Sequence, residues 1–166
     1  MLQPTVRRTW APVGETPIHY SWDRRDRLSA ISAITVSPQR RRLGLSFDVL
    51  DHNVTADDFE WFVERLLRKL QRPLILVLDR YQVHRSAAKR LGARFGSRVG
   101  IEWLPPYAPE LNPDEQVWKR SKRDKLANFI PDDVWHLGYT LVDTLREIRG
   151  EQAMLRSFFD HAGLSL

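Results

Sequence analysis

The 166-residue sequence contains no cysteine. Disulfides, thiolate metal centres and cysteine nucleophiles are therefore excluded, and nothing points to an oxidising compartment. Long apolar runs are also missing. The longest aliphatic stretch is Leu74 to Leu78, far short of the roughly 20 residues that cross a bilayer. The first residues, MLQPTVRRTW, carry no secretory apolar region. The expectation is a cytosolic chain with no membrane partner. Internal repeats, low-complexity tracts and Gly/Ser linkers are absent too, so the whole of 1–166 is expected to form one domain, with 126–166 supplying its C-terminal helices.

What is present is a globular composition, 42% hydrophobic and 28% charged, with 26 Lys+Arg against 21 Asp+Glu. The net charge of +5 makes polyanions plausible partners. The excess is concentrated between residues 80 and 125, where Arg80, Arg85, Lys89, Arg90, Arg94 and Arg98 precede a second group of Lys119, Arg120, Lys122, Arg123 and Lys125. A solvated basic surface would look the same, so charge alone does not choose.

Residues Leu2 to Pro17 carry three prolines and a glycine without a sustained period, which reads as loop. Leu28 to Val36 and Leu43 to Leu50 alternate around Ser37-Pro38-Gln39 and predict an antiparallel hairpin. Thr55 is a good N-cap for a helix whose apolar residues Phe59, Phe62, Val63, Leu66, Leu67 and Leu70 follow helical spacing. After Pro73, the continuous run LILVLD predicts a strand covered on both faces, as in parallel sheets. A crossover helix over Ser86 to Phe95 and a strand over Val99 to Trp103 complete a β-α-β unit. A Pro-rich loop follows, then a helix capped by Asn112 and Pro113. Two more helices are expected over Asp133 to Ile148 and Gln152 to Phe159, with Gly163 closing the last.

Asp79 ends the buried strand, which places its carboxylate at the mouth of the sheet, where ligands of α/β folds bind. An ordinary loop-initiating Asp is the alternative. Glu115 follows the loop that leaves the neighbouring strand, so the two carboxylates can converge although 35 residues lie between them. Two hard oxygen donors without a His or Cys cluster favour Mg²⁺ or Mn²⁺ over Zn²⁺. Glu115 also fits the third position of a capping box begun by Asn112, and spacing does not separate the two roles. Trp103 and Trp118 suit either base stacking or core packing.

LVLDRYQVHRS (Leu76 to Ser86), followed by EWLPPYAPELNPDEQVWKRSKR (Glu102 to Arg123), resembles the catalytic core of mariner-superfamily transposases of bacterial insertion sequences. Further likeness runs through RTWAPVGETP, LANFIPDD and SFFDHAGL and covers essentially the whole chain; Arg80 stands where many members have Asn. The resemblance implies a ribonuclease H-like α/β fold, a mixed sheet flanked by helices. It further implies a DDE endonuclease that cleaves and transfers DNA strands with two divalent ions, Mg²⁺ or Mn²⁺. Asp79 and Glu115 match two members of the acidic triad and its metal ligands. His84 matches a family position that would orient substrate or serve as a local hydrogen-bond partner. Arg120, Lys122 and Arg123 would meet DNA phosphates or remain a solvated face.

The family's first catalytic Asp sits on a central strand ahead of the RTWAP segment, and the sequence before Arg8 is too short to hold it. The sheet is accordingly expected to lack its central first strand. Asp23, Asp26 and Asp48 are the nearest substitutes, and each reads better as surface. The implied partners are transposon ends and target DNA, an upstream-frame polypeptide and further copies of the chain. An inactive remnant with nonspecific DNA affinity and a ribonuclease H-like nuclease are the rival readings.

Overall fold

The computed structural model describes residues 10–15, 28–123 and 126–166. Asp23 and Asp26 lie outside them, as does most of the loop expected over Leu2 to Pro17. Strands β1 (Ser29–Val36) and β2 (Leu43–Leu50) pair antiparallel in a register running from Ser29↔Leu50 to Val36↔Leu43. Their turn is closed by the Ser37 amide donating to the Arg42 carbonyl at 2.9 Å and by the Arg40 amide donating to the Ser37 carbonyl at 2.7 Å. Gly44 is required opposite Thr35, because a Cβ there would lie 2.7 Å from the Thr35 hydroxyl.

Helix α1 (Ala56–Leu70) starts on a capping box in which the Asp58 amide donates to Thr55 Oγ1 and the Asp58 carboxylate accepts from the Thr55 amide. Five of the six residues expected on its apolar face, Phe59, Phe62, Val63, Leu66 and Leu67, are buried, and Leu70 at its last position is half-buried. Strand β3 (Leu74–Leu78), helix α2 (Gln82–Phe95) and strand β4 (Val99–Trp103) form the β-α-β unit, with β3 and β4 parallel from Leu74↔Val99 to Leu78↔Trp103. Helices α3 (Asp114–Arg123), α4 (Val134–Gly150) and α5 (Gln152–His161) follow, and Gly163 at φ +70 ends the last. Gln152 fastens α5 to the hairpin by bonding both the amide and the carbonyl of Leu43, at 3.0 and 2.8 Å.

Two apolar clusters divide the interior. One lies between the hairpin and α3 to α5, built on Leu43, Leu45, Val117, Leu141, Leu145 and Leu155. The other joins Ile31 of β1 to the buried face of α1, to Leu78 and Val99, and to Ala87 and Leu91 of α2. The hairpin is therefore covered on both faces.

Three expectations need correction. Helix α2 begins four residues before Ser86, so His84 belongs to its first turn. β3 is covered on one face only: Ile75 and Val77, on the other, are 75% and 60% exposed, because α1 and α2 both pack on the Leu74, Leu76 and Leu78 side. Asp48 is not a free surface group, since it is half-buried and ion-paired with Arg65 of α1. The strands form two separate two-stranded sheets, and among the described residues no hydrogen bond joins β1 to β3. No helix of the described residues is long and apolar enough to cross a membrane.

Candidate active site

Asp79 immediately follows β3, whose last carbonyl, at Leu78, accepts from the Leu104 amide at 2.8 Å and so holds the two strand ends together. Asp79 Oδ1 accepts twice, from the Tyr81 amide at 3.0 Å and from His84 Nδ1 at 2.6 Å. Oδ2 makes no hydrogen bond among the described residues. The His84 ring is held in turn by Phe59, with centroids 4.5 Å apart, and by the edge of Tyr81 at 5.7 Å. This is the local-partner geometry for His84: it orients the carboxylate from the side, and the helical start at Gln82 brings it back over Asp79.

Glu115 arrives by the Pro-rich loop, where Pro109 to Leu111 form a single 3₁₀ turn and the Asn112 amide donates to the Pro109 carbonyl at 3.1 Å. The capping role is not the one the sequence suggests. Asn112 Oδ1 accepts from the Asp114 amide at 3.1 Å, while the Asn112 amide is already engaged by Pro109, so it does not meet the Glu115 carboxylate. Glu115 is half-buried in the first turn of α3, where the helix dipole favours negative charge, and its carboxylate has no hydrogen bond or ion pair among the described residues.

Asp114, the neighbour of Glu115 at the start of α3, is the most buried of the acidic groups here. The Asp114 carboxylate is buried, accepts from the Ser32 hydroxyl of β1 at 2.5 Å through Oδ2, and leaves Oδ1 buried without a partner. Burial pushes its pKa up to about 6, opposed by the Ser32 hydrogen bond and the nearby Trp118 indole N–H and helped by the negative charges of Glu115 and Asp79. Both catalytic candidates thus stand near enough to be felt at Asp114. Alternation in β1 held the available signal, since Ser32 is a polar residue between Ile31 and Ala33 in a strand covered on both faces.

Trp118 packs against the first apolar cluster, which gives it the core role rather than base stacking. Arg120, Lys122 and Arg123 occupy the last turn of α3; Arg120 and Arg123 are exposed and Lys122 is half-buried. Tyr107, fully exposed at φ 59 between the two sheet-end residues and Glu115, is held in a left-handed conformation that non-glycine residues rarely adopt.

The donor chemistry suits a hard divalent cation: Asp79 and Glu115 keep oxygens that no donor among the described residues uses, and their negative charges are felt at Asp114, whose buried Oδ1 lacks a partner. The geometry supplies only part of a site, because among the described residues no three His, Cys, Asp or Glu side chains gather closely enough to hold a metal ion.

No curated protein matches the sequence. Among solved structures, the crystal structure of the Mos1 strand transfer complex matches with a TM-score of 0.54 at 14% identity, over 98% of this chain and 51% of that one. The chain therefore spans about half the length of that relative, and it shares that structure's ribonuclease H-like mixed α/β fold. The family model for DDE superfamily endonucleases matches residues 1–134, a span that holds both Asp79 and Glu115, and the chain belongs to that family.

Proposed function

We propose that the chain is the catalytic region of an insertion-sequence transposase, one domain over 1–166, which cleaves DNA strands and transfers them with Mg²⁺ or Mn²⁺ held by Asp79 and Glu115. The observation that supports this reading is that two half-exposed carboxylates, one following β3 and one opening α3, both act electrostatically on the buried Asp114 while keeping oxygens that no donor among the described residues uses. The divalent ions, when bound, supply activation of water or a DNA 3′-hydroxyl and stabilise the leaving oxygen. His84 and the Tyr81 amide fix Asp79 through Oδ1, which keeps Oδ2 available. Glu115 rides on a rigid helix start and is not spent on capping. Arg120, Lys122 and Arg123 of α3 meet DNA phosphates and position the duplex without reading its sequence.

The third carboxylate of the site is proposed to come from a strand between β1 and β3, carried by an upstream-frame polypeptide. Ile31 of β1 and Leu78 of β3 share one apolar cluster under α1, yet neither strand pairs with the other, so two unpaired edges face the same layer. The partners are transposon-end and target DNA and further copies of the chain, in the bacterial cytosol.

The test is strand cleavage of inverted-repeat DNA with Mg²⁺. The 166-residue chain alone is expected to be inactive, and joining it to a segment that supplies the strand and its Asp should produce nicking and joining. Asp79→Asn and Glu115→Gln should each abolish that activity. Cleavage by the chain alone would refute the need for a third acid. An inert completed chain would instead favour a remnant that retains only DNA affinity, a reading the incomplete gathering of acidic groups supports.

A further inference from the structure

Helix α2 divides its cations between two faces. Arg90 pairs with Asp57 and Glu60, and Arg94 with Glu64, so these two are neutralised against α1. Arg85 and Lys89, on the opposite side, have no acidic partner among the described residues. They line, with Arg80, Ala88, Ile101 and Trp103, an open groove of about 550 Å³ along the outer edge of β4. No carboxylate lines it, because Glu102, between Ile101 and Trp103, points to the other face of the strand. Its size is that of a small-ligand site. Trp103, 38% exposed, forms the apolar wall, and Arg80 is steadied by its Nε lying 3.5 Å from the Leu104 carbonyl. The groove starts one residue from Asp79 and across the strand pair from it, since Leu78 is the partner of Trp103.

We propose that this groove holds one unpaired nucleotide of a DNA strand passing the active site, its base stacked on Trp103 and its phosphates on Arg85 and Lys89. Three cations without a carboxylate suit a phosphodiester, and a half-exposed indole beside them suits a base of any identity. A duplex would not enter so narrow a space, which is why the occupant is single-stranded. The inference rests on the reading of the chain as a DNA enzyme, but it concerns residues outside the acidic site.

The full 166-residue chain is titrated by fluorescence anisotropy with oligothymidylate of about 12 nucleotides, with an abasic strand of equal length, and with duplex DNA. Wild type should prefer oligothymidylate to the abasic strand. Trp103→Ala should weaken oligothymidylate binding about tenfold and leave the abasic strand unchanged, while Trp103→Phe retains the preference. The double change Arg85→Gln and Lys89→Gln, both on the surface, should weaken both single strands and flatten the salt slope by about 1.4. If wild type binds duplex DNA but Trp103→Ala and the double variant bind oligothymidylate as wild type does, the groove assignment fails alone. If wild type binds no DNA at all, the functional reading fails with it. Should Trp103→Ala lose its fold by circular dichroism, the double variant alone decides.

Discussion

At the scale of single residues, Asp114 is the group whose behaviour is least ordinary. Its carboxyl is buried with one oxygen unpartnered, and its pKa is raised from 3.8 to about 6 by burial and by its acidic neighbours. A carboxyl raised in the folded state binds protons more tightly folded than unfolded, so it favours the fold most at low pH and its support is lost as pH climbs from about 4 to about 6. Asn keeps the acceptor for Ser32 and never ionises. In metal-free buffer, the stability of Asp114→Asn relative to the parent should therefore grow across that interval by up to about 3 kcal/mol, because each pKa unit is worth about 1.4 kcal/mol. Urea unfolding at several pH values measures it, and a difference independent of pH would show that Asp114 titrates normally. Its neighbours divide stability from chemistry. Asn112→Ala removes the acceptor for the Asp114 amide and should cost about 1 kcal/mol. Glu115→Gln touches no such bond and should leave the melting temperature of the chain unchanged; a clear drop would mean that Glu115 is structural after all.

At the scale of elements, local chemistry was the most legible part. The Thr55 cap, the two acidic residues behind it and the apolar spacing of α1 all agree, and the helix forms as those signals direct. Thr55→Ala removes the hydroxyl that accepts from the Asp58 amide and donates to the Asp58 carboxylate, keeps the amide half of the capping box, and should lower stability by about 1 kcal/mol without changing the denaturant slope. The hairpin was equally readable, since alternation sets the register of β1 and β2 once the turn is placed. The start of α2 was not, because QVHR carries no side-chain cap: Tyr81 precedes the helix and caps nothing, and the Tyr81 amide is instead taken by Asp79. The Asp79 carboxylate thus holds the residue before the helix, a contact that no N-cap signal in the sequence announces. The run LILVL told of a strand but not of its surroundings. A continuous apolar stretch is the same whether one face or two are covered, and only the placement of α1 and α2 decides. That Asp79 ends a strand and Glu115 lies in the first turn of a helix was legible in the sequence, whereas the burial of Asp114 was not, since it depends on Ser32 of β1 approaching from 82 residues away.

At the scale of the whole molecule, two attractions with opposite salt dependence act on opposite faces of the β3–β4 pair. The chain carries a net charge of +5, so its copies repel one another at low ionic strength while DNA is drawn in. Phosphate contacts release counterions and weaken as salt is added. Association through Ile75 and Val77, exposed on one face of β3, or through the unpaired edges of β1 and β3, depends on apolar burial and open backbone groups instead. Salt screens the repulsion between copies without weakening that burial, and sulfate strengthens it. Sedimentation should therefore show the chain shifting from monomer toward dimers or larger species as sulfate rises, over the same range in which DNA affinity falls. Replacing Ile75 and Val77 together by Thr keeps β-branched residues in the strand and should move the population back to monomer, with the cooperative melt retained. If the substituted chain still associates as the parent does, the unpaired edges rather than the apolar face bring the copies together. If the parent stays monomeric through the whole salt range, the two sheets are self-sufficient as they stand.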